Sequence, residues 1–429
     1  MRLTLVQLRN AILFSACVLL AGGIGWWLGQ NDIKLKEKNQ GQLPSISVTN
    51  RAAPAAKQDV DFSLFWEVWD RLEQDFLFRE RINQQKMVYG AIAGMTAALD
   101  DPYTAFFPPQ ENRTAKENLN GSFGGVGIQL GYKKFDGINQ LAVISPLSGM
   151  PAEKAGVKAG DYILRIKDQA KGIDKDTSGL SLPEAVELIR GEAGTSVELT
   201  IYTKDDPQER VVTLARDTVV VPSAEVEFGE VKDGKWQKTD QGSVAWLKLT
   251  RFGGMTDEQW DKAIQEIVNH SPQARGVVLD LRNNPGGYLE GAVTLGGEFL
   301  PKGTVVVKQE HTKYPTQEYP VERIGRLITT PLVVLVNQGS ASASEIMAGA
   351  LRDHDRAKLV GETTFGKGTI QEAEDLRDGA GLHVTVARWL TPKGTWVHEQ
   401  GLKPDVEIKN DPDKPEEDRQ LVEAAKLLL

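Results

Sequence analysis

Apolar side chains recur along this chain at helix spacing in some stretches and at strand spacing in others, and the changes of period divide it into elements. Phe62, Phe65, Trp66, Trp69, Leu72 and Phe76 fall at three- and four-residue steps, which predicts an amphipathic helix with an aromatic stripe. A second helix is predicted from about Gln84 to Leu99. It stops at Asp100-Asp101-Pro102, because proline has no N–H to donate and its ring blocks the preceding turn. So small a helical unit cannot bury its own aromatics, and it is expected to pack on the main body or on a second subunit.

From Gly121 to about Asp217 the pattern shortens. Gly124-Gly125-Val126-Gly127-Ile128 opens a strand, Pro151 to Gly156 is a short helix, and Gly160-Asp161 turns into the strand Tyr162–Ile166. Leu182–Ile189 is an amphipathic helix, and Val197–Tyr202 with Val211–Leu214 alternates as a closing hairpin. The stretch Asp168–Gly179 is polar and long for a connection inside such a module.

Beyond Val219 strands and helices alternate: strand Gly242–Thr250, helix Met255–Val268, buried strand Gly276–Leu281, helix Leu289–Phe299, strand Leu332–Val336, then a helical run from Ser344. Strand Leu382–Trp389 follows, and Lys414–Leu429 reads as a charged helix whose leucine end offers an oligomer contact. This alternation predicts a multi-domain α/β protein. The expected division is 1–31, 32–57 as a polar tether, 58–118 as an N-terminal helical region, 121–217 as a separate module, 218–408 as the main body and 409–429 as a helical tail.

Residues 1–31 depart from the rest. Between Asn10 and Asn31 there is no charged side chain, Arg2 and Arg9 precede the run, and Trp26-Trp27 suits a membrane interface. The expectation is a single-pass membrane helix with the body on the extracytoplasmic side; a cleaved signal peptide is the competing reading, without a clear small-residue cleavage site. At 429 residues two or three domains are expected, and a net charge of −9 argues against nucleic acid as the main ligand. The single cysteine, Cys17, excludes an intramolecular disulfide and any multi-cysteine metal site.

Candidate chemistry lies where the apolar run Leu332–Val336 stops at Asn337-Gln338-Gly339 and a helix begins. Ser340, Ser342 and Ser344 sit at this strand–turn–helix junction, where a hydroxyl stands beside free helix N–H groups able to stabilise an oxyanion. A hydroxyl needs a base. None of the five histidines lies in a Gly-rich or catalytic-looking context, whereas Lys367 stands between Gly366 and Gly368. Lysine serves as a base once burial lowers its pKa, and a neutral amide such as Gln371 can orient the amine without stabilising its charge. Taken singly, a small-residue turn is more often a helix cap, and a lysine between glycines is usually solvated.

The runs N-Q-G-S-A-S-A-S-E-I and G-E-T-T-F-G-K-G-T-I-Q resemble the Ser/Lys C-terminal processing peptidases, also called tail-specific proteases. The resemblance implies Ser342 as nucleophile, Lys367 as general base and Gln371 as its partner. Asp280-Leu281-Arg282-Asn283-Asn284-Pro285-Gly286-Gly287 is similar to the turn that supplies an oxyanion-hole amide in that family, here Gly286 or Gly287, with Ala343 as the partner amide. The phrase A-G-V-K-A-G-D-Y-I-L-R-I resembles a PDZ domain, whose Gly-rich loop, here Gly125, Val126, Gly127 and Ile128, presents N–H groups to a peptide's terminal carboxylate. The implied body is a crotonase-like α/β peptidase core. Protein or peptide substrates held by their C-termini are the implied partners, a homo-oligomer is left open, and no metal or cofactor is implied.

Two rival readings stand beside this one. Gly361 to Lys367 matches a phosphate-binding P-loop except that Gly368 stands where Ser or Thr should hold the metal. The other rival is a non-catalytic binding protein that captures chain ends through the PDZ-like module and uses the rest as scaffold.

Overall fold

The computed structural model describes residues 61–135, 137–204, 206–411, 414 and 417–429. The chain divides into two units, one ending at Met95 and the other running from Thr96 to Leu429. In the first, helix α1 (Ser63–Asp75) carries the aromatic stripe: Phe65 meets Trp66 edge-on at 4.9 Å between ring centres, and Trp69 is buried. Helix α2 (Gln84–Ala97) follows.

The expected single-pass anchor is not supported. Among the described residues no helix is long and apolar enough to cross a bilayer, and residues 1–31 themselves lie outside the described residues. A span needs about 20 apolar residues, and the longest described helices have 14. The extracytoplasmic placement of the body rested on that anchor and is withdrawn with it.

The second unit opens with strand β1 (Ala105–Phe107), helix α3 (Pro109–Asn120) and strand β2 (Ser122–Gly125). Pro109 at the first turn of α3 and Gly121 in the left-handed conformation at its end are what start and stop this polar helix, which the apolar periodicity did not reveal. The next module holds β3 (Ile128–Phe135), β4 (Ile138–Pro146), α4 (Pro151–Lys154), β5 (Tyr162–Asp168), β6 (Ile173–Asp176), α5 (Leu182–Ile189), β7 (Ser196–Thr203) and β8 (Asp206–Ala215). Its sheet runs β3-β4-β5-β7-β8 with β6 paired to β5, leaving β3 at an edge. The long polar stretch after Asp168 is thereby explained as a hairpin, with Arg165 opposite Asp176. A buried pair, Arg216 to Asp168 at 2.7 Å, anchors the module, and Arg216 Nε also donates to Ile189 O at 2.7 Å, capping α5.

Strand β9 (Asp217–Val220) returns to β2, and the main body begins with β10 (Ala224–Lys232), β11 (Lys235–Lys238), β12 (Val244–Leu249), α6 (Thr256–Asn269), β13 (Gly276–Asp280) and α7 (Leu289–Gly296). It continues through β14 (Val305–His311), β15 (Gln317–Pro320), β16 (Leu332–Val336), α8 (Ala343–Asp353), β17 (Lys358–Gly361), β18 (Thr369–Asp375), β19 (Gly381–Leu390), β20 (Val406–Glu407) and α9 (Arg419–Lys426). A seven-stranded sheet runs β11-β10-β12-β13-β16-β17-β20, parallel from β12 onward. Its central strands β13 and β16 are buried at every residue because both faces are covered. Leu332, Val334 and Val336 pack with α6, α7 and α8, while Val333 and Leu335 pack with Leu421, Ala424 and Ala425 of α9.

A five-stranded sheet, β1-β19-β14-β15 with β18 on β19, stands beside the first. The P-loop reading fails here: the residues after Gly368 form strand β18, so no helix N-terminus faces a phosphate.

Candidate active site

Parallel strands β13, β16 and β17 are neighbours, and the loops at their carboxyl ends carry the three motifs that lie far apart in sequence. Ser342 ends the turn after β16 as the N-cap of α8, with φ +55° and ψ −117°. A non-glycine residue held there is strained by about 1–3 kcal/mol, so the surrounding bonds must impose the conformation. Ala341 N donates to Asn284 O at 3.0 Å, Ser344 Oγ donates to the same carbonyl at 2.9 Å, and Ser342 N donates to Glu345 at 2.9 Å.

The three serines separate by their hydroxyls. Ser340, fully buried, donates to Leu281 O at 2.7 Å and accepts from Asn337 N at 3.0 Å. Ser344, also fully buried, is held on Asn284 O. Ser342 is half-buried and lines an open cleft of about 1000 Å³, which Lys367, Gln371, Gly286, Gly287, His311 and His383 also line.

Lys367 is fixed through its backbone. Its N–H donates to Glu345 Oε2 at 2.9 Å, and its carbonyl accepts from Trp389 Nε1 at 2.8 Å. Burial pushes the amine below its ordinary value of 10.5, against the opposing pull of the Asp101 and Glu345 charges. Gln371 sits just after a bulge in β18, which re-aims the strand. Its Nε2 donates to Thr369 Oγ1 at 2.9 Å and to Thr385 Oγ1 at 3.1 Å, leaving Oε1 as the end able to accept from an amine.

Glu345 holds these pieces together, a role invisible in the sequence, where it reads only as a charge in the first turn of a helix. Fully buried, its carboxylate accepts from Ser342 N, from Thr364 Oγ1 at 2.5 Å, from Gly366 N at 2.7 Å and from Lys367 N.

The turn after β13 packs against the serine. A Cβ built on Gly286 would lie 2.8 Å from Ser342 Cβ and 2.9 Å from Ala343 N, so only glycine leaves this space open. The two candidate glycines differ. Gly286 N–H is occupied, donating to Asn284 Oδ1 at 2.9 Å. At the Phe252–Gly287 bridge, Phe252 N donates to Gly286 O and Tyr288 N to Phe252 O, so the Gly287 N–H points the other way. The Ala343 N–H, at the first position of α8, has no intrahelical acceptor. Arg282 fixes the start of this turn, donating to Asp280 and, through Nη1, to Asp418 Oδ1 at 2.8 Å, the residue that caps α9.

The histidines were underestimated by sequence. His311 and His383 come from strands β14 and β19, which line the cleft. Burial, then the charge of Lys367, lowers the His383 pKa. No local motif marks either residue.

In the PDZ-like module, Val126 O accepts from Ala152 N at 3.0 Å and Gly127 O from Leu147 N at 2.8 Å. Among the described residues the Val126 and Gly127 N–H groups donate to no backbone carbonyl. Gly127 has φ +73°, and a Cβ there would stand 2.2 Å from Met150 Cβ.

Residues 243–408 match the model of peptidase family S41, and residues 143–203 match that of the PDZ domain. Over 355 residues the chain is 36% identical to the carboxy-terminal processing protease CtpA of Bacillus subtilis, covering 83% of this chain and 70% of that protein. The chain belongs to peptidase family S41. This S41 peptidase is also 37% identical over 337 residues to the carboxyl-terminal-processing protease of Synechocystis, which spans 79% of this chain and 74% of that protein. Among solved structures, the photosystem II D1 C-terminal processing protease aligns with 85% of this S41 peptidase and 93% of its own chain, at 31% identity and a TM-score of 0.47. The molecule is a serine-type endopeptidase with an α/β peptidase core and a PDZ domain, and the purely binding role is set aside.

Proposed function

We propose that this S41 peptidase cleaves protein substrates held by their C-termini, with Ser342 as nucleophile and Lys367 as general base. The observation that carries the reading is that Ser342 alone of the three turn serines keeps its hydroxyl clear of backbone carbonyls, in the cleft that receives Lys367. Ser342 Oγ attacks the scissile carbonyl carbon as its proton passes to Lys367 Nζ; the proton then goes to the leaving amine as the C–N bond breaks. Gln371 Oε1 orients the amine. The Gly287 and Ala343 N–H groups receive the oxyanion, in preference to the Gly286 N–H, which is already engaged.

Substrate selection is assigned to the loop Gly125–Ile128. Its carbonyls are tied to the residues 147–152 side, its Val126 and Gly127 N–H groups are available to a carboxylate, and the free edge of β3 offers the substrate a strand to pair with. The domain division 58–118, 121–217, 218–408 and 409–429 is retained as a working description of these parts.

A fluorophosphonate probe tests the site. Wild-type protein should be labelled on Ser342, and Ser342→Ala should lose both label and cleavage, by about 10⁴-fold or more. Lys367→Ala should lose activity similarly, whereas His311→Ala and His383→Ala should keep most of it. Activity surviving in Lys367→Ala but lost in His383→Ala would make a histidine the base.

A further inference from the structure

The segment just before β1 delivers an aromatic ring to the amine of Lys367. Asp101 shapes the turn: its Oδ1 accepts from Tyr103 N at 3.1 Å and its Oδ2 from the Thr104 hydroxyl at 2.7 Å. The turn is fastened to β19, because Thr385 N donates to Thr104 Oγ1 at 3.1 Å and β1 pairs Ala105 with His383. Thr385 also serves Gln371, its hydroxyl accepting from Nε2 at 3.1 Å. One residue thus joins the orienting amide of the base to the turn that carries Tyr103. The outcome of this bracing is a ring whose centre lies 4.9 Å from Lys367 Nζ, within the range at which a π face attracts a cation.

We propose that Tyr103 is a positioning residue for the base: its ring face receives the ammonium that forms when Lys367 takes the proton of Ser342. This rests on Lys367 being the base. In the acylation step the O–H bond of Ser342 breaks, a C–O bond forms to the substrate carbonyl, and the nitrogen lone pair of Lys367 becomes an N–H bond. Positive charge therefore appears at Nζ during the reaction, and a group that favours the ammonium over the amine favours the transition state. The ring does so without the full charge of a carboxylate, which would hold the amine protonated at rest. It also shields the amine from water, so it belongs with the burial that keeps Lys367 below its ordinary pKa. The other ionisable groups around Nζ are Asp101 from the same turn, Glu345 from α8 and His383 from β19. His398 and Glu399 act at one remove, on Asp101 and on Tyr103. The phenol stays neutral, since burial and the neighbouring carboxylates push its pKa up.

A ring can act as a plain apolar cover, so the test must change its π face and keep its shape. Tyr103 is replaced by phenylalanine and then by its mono-, di- and trifluorinated forms, and kcat/KM and the rate of fluorophosphonate labelling are followed against pH. Tyr103→Phe should reproduce the wild-type profile. Along the fluorinated series the midpoint should fall stepwise, by about half a pH unit to one unit in all, and the plateau by up to about three- to tenfold. A flat series, with every form folded by thermal melt, would overturn the proposal. Tyr103→Leu adds a second arm: it keeps an apolar cover, so a profile equal to Tyr103→Phe would count against the π face as well. The base assignment is judged separately. An inactive Lys367→Ala beside a flat fluorinated series removes Tyr103 alone, whereas an active Lys367→Ala removes the reading on which it rests.

Discussion

The backbone N–H groups of Ser342 and Lys367 end on the same atom, Glu345 Oε2, each at 2.9 Å. Two residues 25 apart in sequence are thereby held at a spacing set by one carboxylate oxygen. The other oxygen takes Thr364 and Gly366 from the approach to the lysine. With four donors this fully buried charge needs no cation beside it.

Glu345→Gln should therefore do more than remove a charge. An amide NH₂ placed among N–H donors leaves some of them unpaired, and each costs about 1–3 kcal/mol. The expected result is a lower melting temperature together with a fall in kcat larger than any rise in KM. The midpoint of the pH–rate profile should also move down, because the Glu345 charge raises the pKa of Lys367. A variant with lower stability and an unchanged kcat would show that Glu345 holds the fold and not the site.

Lys367 is predicted to weaken the fold at neutral pH. Its folded-state pKa is below its unfolded value of about 10.4, so between the two the unfolded chain binds more protons, and stability rises with pH. The penalty is fully present below the folded-state pKa and gone above the unfolded one. Lys367→Met removes the ionisable group while keeping the stem. It should melt higher than wild type at neutral pH, with the gap closing as the buffer is taken towards pH 10.

The serine turn makes opposite predictions for neighbouring hydroxyls. Ser340→Ala strands Asn337 N, and Ser344→Ala loses a buried bond to Asn284 O; each should cost about 1–3 kcal/mol in denaturant titrations while leaving a reactive site. Ser342→Ala should be close to wild type in stability and inert towards the probe. Loss of labelling in a well-folded Ser340→Ala or Ser344→Ala would move the nucleophile.

Selection of chain ends is checked by pairing a variant with a modified substrate. Gly127→Val places a β-branched residue at φ +73° and against Met150, so the loop must rearrange. Amidating the substrate's C-terminus removes the charge from hydrogen bonds worth about 1.5–3 kcal/mol, a ten- to hundredfold effect on kcat/KM at low substrate. The two losses should overlap rather than add, since both remove one interaction. Equal cleavage of free and amidated peptides by wild type would leave the peptidase intact and remove the loop from selection.

What could be read from the sequence was local. The apolar run of β16 ending in small residues, and a lysine between glycines, announce a strand–turn–helix and a bent loop without knowledge of their neighbours. The glycine-rich turn after β13 was legible for the same reason, yet the choice between Gly286 and Gly287 was not, because it depends on Asn284 turning its side chain back. Tyr103, His311 and His383 were hidden more deeply. His311 and His383 reach the cleft, and Tyr103 the amine of Lys367, only through strand pairings across long sequence separations, and none belongs to a pattern that periodicity can detect. Helix α3 was missed because its face is polar, and the hairpin β5–β6 because polar residues in extended ladders look like a loop. The membrane helix was an inference from composition alone, with no counterpart among the described residues.

The adjacency of β13, β16 and β17 carries a consequence for the time before folding is complete. Gly287, Ser342 and Lys367, the residues proposed as oxyanion donor, nucleophile and base, follow the separate strands β13, β16 and β17, and β13 meets β16 only after the intervening residues 281–331 have been placed. Parallel pairings of this separation form late, because the loop must close before any contact rewards it. On the proposed assignment, a nascent or partly unfolded chain carries Ser342 without its base and Lys367 exposed to water, where its amine is protonated. A copy whose sheet has not closed is then expected to be inert towards its neighbours, and activity is expected to report on the integrity of the core.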